Sequence, residues 1–155
     1  MSKEFERLYR EDQKHIKKWA GHYTDKEFYR INQELQKKVQ DLLDNNKAKK
    51  GRDFFISSMI FHHGFTLTSS KKAISYAEKS VEMGYKKGKW LIASATDRLL
   101  QLQGKQQKFG TQIIETKSGK IRMYKVDSKT TDKEREEYGL PTLKELKERL
   151  KPSAE

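Results

Sequence analysis

Six polar residues set among apolar or glycine-containing stretches carry whatever chemistry this sequence can do: His62, His63, Asp97, Arg98, Gln107 and Gln112. A histidine beside a carboxylate can act as a general base, because its ordinary pKa of about 6.5 lies near neutral pH and the acid fixes its tautomer. On that pattern His63 is the acid/base and Asp97 its orienting partner, while Arg98 and the two amides hold a substrate carboxylate or phosphate. The same residues also read as structure. A buried histidine is often hydrogen-bonded within a core, and an Asp97-Arg98 pair can simply tie a hairpin to a helix. Metal binding is not expected: His62 and His63 are adjacent, so on a helix they point about 100° apart and cannot share one ion. The spacing gives His15 and His22 no ligand role either, and the chain has no cysteine. Phosphate-loop, dinucleotide-binding, nucleophile-elbow and zinc-protease motifs are missing, and no cofactor is expected.

These residues must be positioned by helices. Phe5, Leu8, Asp12, Ile16 and Trp19 recur at helical spacing, which predicts a first helix from a Ser2 cap to about Ala20, stopped by Gly21. Asp12 is the odd member of that stripe, either paired in the core or marking where the stripe frays. Thr24 with Glu27 forms a capping box and Tyr23 with Phe28 a hydrophobic staple for a second helix, which carries Ile31, Leu35, Val39 and Leu42 and ends at Asn45-Asn46. After the basic linker of residues 47–52, Asp53 caps a third helix that is apolar almost all round and should be the most buried. On its wheel, Ser58 and His62 share a polar sliver, while His63 falls among Ile56 and Met59.

A fourth helix begins near Thr68–Ser70 and stops at Gly84; a fifth runs from about Lys89 to Gln103. Residues 109–116 and 121–126 read as two short strands around a glycine turn. Asp132 caps a short acidic turn ending at Gly139, and Thr142 with Glu145 opens a last helix; the final Ser-Ala-Glu is expected to fray. The expected fold is mainly α: about five helices, as two helical hairpins around a buried central helix, with a small β-hairpin and a C-terminal helix. One domain, 1–155, is expected, with an N-terminal helical hairpin (1–46), a basic central part (47–126) and a C-terminal helical tail (127–155).

The net charge of +12 is confined to the middle of the chain. Residues 47–126 carry 17 Lys+Arg against 5 Asp+Glu, whereas 1–46 carry 10 against 9 and 127–155 carry 7 against 8. The excess is clustered at Lys47, Lys49, Lys50 and Arg52; at Lys71 and Lys72; at Lys86, Lys87 and Lys89; at Lys105 and Lys108; and at Lys117, Lys120, Arg122 and Lys125. A one-signed field attracts phosphate groups, nucleic acid or an acidic protein. Its lysine-rich make-up also suits a merely solubilising surface, since lysine lacks the fork with which arginine grips phosphate. Hydrophobic residues make up only 34% of the chain, but 10% is aromatic, and a disordered chain of this polarity would be poor in aromatics. No run approaches the ~20 apolar residues of a membrane span. With no cysteine, a cytoplasmic protein without membrane contact is expected.

His63-Gly64, Ala95-Thr96-Asp97-Arg98, the run from Gly104 to Gln112, and Asp132, Arg135, Gly139-Leu140-Pro141 and Leu143 together resemble an uncharacterised bacterial protein family. Its hallmark is a G-x-P-Q-x-Y-G-T-Q block after a D-R pair, with an upstream Q-H and a downstream G-L-P; the similarity spans about residues 52–146. Its pattern falls on His63, Asp97, Arg98, Gln107, Gly110, Thr111 and Gln112, which the resemblance implies form one site. The chain departs from it at His62 (usually Gln), Gln106 (Pro) and Phe109 (Tyr). The family carries no activity to transfer.

The leading expectation is a protein that binds an anionic partner (nucleic acid, nucleotide or another phosphate or carboxylate ligand) through its basic central part, with Lys47, Lys49, Lys50, Arg52, Lys86, Lys87 and Lys89 as the anion patch. The alternative is an enzyme of hydrolase or proton-transfer type, with His63 and Asp97 catalytic and Arg98, Gln107, Gly110, Thr111 and Gln112 binding the ligand. A further alternative is a helical module that binds a protein partner.

Overall fold

The computed structural model describes residues 2–20, 22, 24–115 and 118–150, the side chain of residue 115 excepted. Gly21 and Tyr23, expected to stop the first helix and staple the second, lie outside the described residues, as do Lys117 of the last basic cluster and the Ser-Ala-Glu tail. The protein is mainly helical, with one small antiparallel sheet. Its elements are α1 (Lys3–Lys18), α2 (Lys26–Asp44), α3 (Gly51–His62), α4 (Leu67–Glu82), α5 (Gly88–Leu102), β1 (Ile113–Glu115), β2 (Ile121–Met123), α6 (Asp132–Glu137) and α7 (Leu143–Glu148). Seven helices thus occur among the described residues, where about five and a C-terminal one were expected, because the acidic turn at 132–137 closes into a helix of its own.

The amphipathic stripes bury the faces they predict. Phe5 and Leu8 of α1, Leu35 and Val39 of α2, Ile56 and Ile60 of α3, Ala73 and Ala77 of α4, and Leu91 and Ala95 of α5 form one core. Each large side chain buried there contributes roughly 1.5–3 kcal/mol of transfer free energy. α3 sits at the centre, touching α1, α2, α4 and α5. Its closest partner is α4, and α4 in turn packs tightly on α5, so the second hairpin and the central helix form one three-helix unit instead of two separate layers. Small residues permit that closeness. A Cβ on Gly88 would lie 2.9 Å from the Ala77 carbonyl, and one on Gly51 would lie 2.8 Å from the Ser80 carbonyl and from Tyr85 Cβ. The Ser58 hydroxyl donates to the Ala73 carbonyl at 2.6 Å.

Helix starts are displaced where a neighbouring polar residue caps better. Asp25, not Thr24, caps α2, accepting from the Glu27 N–H at 2.8 Å. Asp53 lies inside α3, because the helix begins a turn early at Gly51; its carboxylate reaches back to the Lys49 and Lys50 N–H groups at 2.9 and 3.1 Å. Thr66 caps α4, and Ser2 caps α1 without a side-chain bond.

The hairpin is shorter than expected. β1 and β2 pair in the register Ile113 with Met123, Ile114 with Arg122 and Glu115 with Ile121. Residues 109–112, expected in the first strand, form a loop instead, since the amides of 109–111 are drawn to a side chain of α5 (below). A second small core under this loop joins Ala93, Phe109 and Leu140, with Tyr138 against it.

Candidate functional site

Asp97 is fully buried on the inner side of α5 and organises the loop that follows the helix. Its Oδ1 accepts from the Lys108 and Phe109 amides at 2.7 and 2.9 Å. Its Oδ2 accepts from the Gly110 and Thr111 amides at 3.1 and 3.0 Å and from the Thr111 hydroxyl at 2.6 Å. Four successive amides can converge on one carboxylate because Gly110 takes a φ of +98°, a left-handed turn that glycine adopts without strain. Gln107 and Gln112 then clamp the base of the loop. The Gln112 amide donates to Gln107 Oε1 at 2.8 Å, and Gln107 Nε2 donates to the carbonyls of Gln112 at 3.0 Å and Tyr124 at 2.5 Å. Arg98 Nε donates to Gln112 Oε1 at 2.7 Å and its NH1 to the His62 carbonyl at 3.1 Å, and its guanidinium lies 4.0 Å from the centre of the Phe65 ring. Gln112 Nε2 completes the network on Ser94 Oγ and Thr111 Oγ1 at 3.2 and 3.1 Å.

The structure therefore brings Asp97, Arg98, Gln107, Gly110, Thr111 and Gln112 together, and spends their hydrogen-bonding capacity largely on one another. Arg135 joins them from α6, buried and donating from Nε to the Phe109 carbonyl at 2.8 Å. Arg135 stood in the run that carries the resemblance but was not among the residues expected at the site.

His63 is the exception. Its Nδ1 pairs with Asp12 of α1, at 3.0 Å from Oδ1 and 2.9 Å from Oδ2, and not with Asp97 as the sequence suggested. Asp97 has no capacity to spare, whereas Asp12, the odd polar member of the α1 stripe, is fully buried and faces the end of α3. The wheel is also inverted at this end. His62 is 5% exposed and enclosed, and His63, one residue past the helix, keeps 14% of its side chain exposed. His62 Nε2 lies 3.2 Å from Ser94 Oγ and its Nδ1 has no partner among the described residues. Burial, reinforced by the Arg98 charge and the neighbouring His63 imidazole, holds its pKa well below the usual histidine value, so it is neutral at pH 7. His15 is also shifted down by burial, opposed by its 3.0 Å bond to the Phe28 carbonyl and by Asp12. Among the described residues, no group of three or more His, Asp or Glu is placed to hold a metal ion, and no helix is long and apolar enough to cross a membrane.

A different region gathers charge without neutralising it. Gly51, at the start of α3, packs against Ser80 and Met83 at the end of α4 and against Tyr85 in the following turn. That contact brings the linker lysines Lys47, Lys49 and Lys50 to the same end of the bundle as Lys86, Lys87 and Lys89. All six are exposed, and among the described residues none has a carboxylate within 4.0 Å. Arg52 leaves this set. Its guanidinium turns inward to pair with Glu6, donates to the Tyr85 hydroxyl at 2.9 Å and lies over the Tyr9 ring. The bond to Arg52 in turn holds the Glu6 carboxyl below its ordinary pKa. Beside Lys86 and Lys87 opens a cleft of about 430 Å³ walled by Phe55, Trp90, Tyr138 and Gly139, with Trp90 42% exposed. A larger cleft of about 740 Å³, lined by Lys105, Lys108 and Lys129, is of mixed sign, since Asp127 and Glu134 line it too.

Compared with models of protein families, with curated proteins and with solved structures, the chain matches none.

Proposed function

We propose that this protein binds a polyanion, with nucleic acid as the ligand class, through the basic end of its helical bundle. One observation carries the reading: two lysine clusters more than thirty residues apart in sequence are joined at the Gly51–Tyr85 contact, and among the described residues their six ammonium groups have no carboxylate partner. A solubilising surface has no need to converge, whereas a polyanion gains from every ammonium within reach of consecutive phosphates. Each neutralised phosphate releases condensed counterions, so affinity falls steeply with salt. Anisotropy of a labelled oligonucleotide is expected to show binding at 50 mM salt that weakens by about 10–1,000-fold at 200 mM, for roughly two to six phosphate contacts. Replacing Lys49, Lys50, Lys86 and Lys87 by Gln is expected to lower the salt slope. No binding at 50 mM, or an unchanged slope in that variant, overturns the proposal.

A second reading, an enzyme of hydrolase or proton-transfer type, is favoured by the Asp12–His63 pair. A buried carboxylate on Nδ1 orients the imidazole and leaves Nε2, which makes no hydrogen bond among the described residues, to take a proton. Turnover of p-nitrophenyl acetate above that of free imidazole, and its loss in His63→Ala but not in His22→Ala, is the expected sign. Equal rates in all three proteins remove this reading.

A further inference from the structure

Resting on the polyanion reading, we infer that the cleft between Phe55, Trp90 and Tyr138 holds an unpaired base, so that the ligand is single-stranded nucleic acid and not duplex. A cleft of about 430 Å³ lies within the usual size range of small-ligand pockets. Its walls are aromatic on three sides and its basic residues, Lys86 and Lys87, both belong to the exposed lysine set. That combination of aromatic faces with cations alongside is how strands without a partner are held: bases stack on rings and phosphates follow the ammonium groups. A duplex keeps its base faces covered and can use the lysines only.

The walls are set before any ligand arrives. Phe55 is 6% exposed and forms the floor, fixed against the Tyr85 ring at 5.1 Å. Tyr138 is braced by the Phe109 ring at 4.9 Å, and so through the loop that Asp97 holds. Trp90 alone among the three keeps a large exposed face, on a helix whose other large apolar side chain in the first turn, Leu91, is fully buried. Charge also suits the cleft to an anionic strand. Lys86 and Lys87 are the charged residues of its lining, and no carboxylate lines it among the described residues. Phosphates are favoured at Lys86 and Lys87 and a neutral base against the aromatic walls.

The test compares three probes on the full chain at one salt concentration: a labelled single-stranded 20-mer, its duplex, and heparin, a polyanion without bases. Wild type is expected to bind the single strand most tightly, with quenching of tryptophan fluorescence on saturation. Trp90→Ala is expected to weaken single-strand binding by about 5–150-fold, the range of one stacked base, and to leave duplex and heparin affinities and the melting temperature unchanged. Trp90→Phe should recover part of the loss. Equal affinity of single strand and duplex, with no effect of Trp90→Ala on either, overturns the stacking inference and leaves the polyanion reading standing. Failure of all three probes to bind removes both. A uniform loss on every probe in Trp90→Ala assigns Trp90 a structural role and also overturns the inference.

Discussion

Asp97 and the basic end of the bundle are both concentrations of charge, and they are opposites in how that charge is spent. At Asp97 a single buried carboxylate receives five hydrogen bonds, four of them from consecutive backbone amides of one loop. At the basic end six exposed lysines have no carboxylate within ion-pair distance among the described residues. A satisfied polar group in a dry interior fixes geometry, because any rearrangement leaves a donor or acceptor unpaired at a cost of about 1–3 kcal/mol each. An unsatisfied charge in water fixes nothing and stays available to a ligand. Chemical residue type alone does not separate these two roles; the partner list does.

The largest effect that can test this contrast is Asp97→Ala. It strands four amides of residues 108–111, and urea denaturation is expected to show a loss of about 3–5 kcal/mol or failure to fold. The milder Asp97→Asn should still fold, less stably, and bind oligonucleotide as wild type does. An Asp97→Asn protein of unchanged stability with lost binding would break the comparison, by making Asp97 a ligand-contacting residue.

Acidification comes next. His62 and His15 both have folded-state pKa values below the unfolded value of about 6.5. The unfolded chain therefore binds the extra protons, so stability is complete above that pH and falls as pH drops through it towards the lowered folded values, by at most about 1.4 kcal/mol per pH unit for each histidine. Melting temperature is expected to decline from pH 7 to pH 5, and less so in His62→Gln. A flat profile over that range contradicts the enclosed state of His62.

Arg52 and Lys50 sharpen the contrast at close range, two residues apart and of equal charge. Arg52→Gln loses the bonds to Glu6 and Tyr85 and should cost about 1 kcal/mol, the pair being partly screened by solvent. It should leave the salt slope of binding alone. Lys50→Gln should change stability by less than about 0.5 kcal/mol and reduce the slope by roughly one phosphate contact. Exchange of these two outcomes would place Arg52, not Lys50, at the ligand.

Much of this was legible from residues alone. The stripes Phe5–Leu8, Leu35–Val39 and Leu91–Ala95 gave the long helices, since burial of one face imposes a period of 3.6 on the sequence. The Thr142–Glu145 box formed as written, but Asp25 displaced Thr24 and Asp53 moved inside its helix, because several oxygens near one helix end compete for the same amides. The chemical block was placed in one region, and all its members but His63 meet there. What could not be read was who satisfies whom. Asp12 and His63 are 51 residues apart, and nothing in the local pattern of either names the other.

The sequence by itself determined the helical character, the confinement of +12 to residues 47–126 and the identity of the polar block, because periodicity, composition and residue type are local properties of the chain. Tertiary structure decided that Asp97 serves its own loop, that His63 belongs to Asp12, that Arg52 turns inward and that the segments carrying two lysine clusters meet at one end of the bundle. Each of these depends on which atoms are within about 3 Å after packing, and a contact such as Gly51 against Tyr85 is set by the whole core around it.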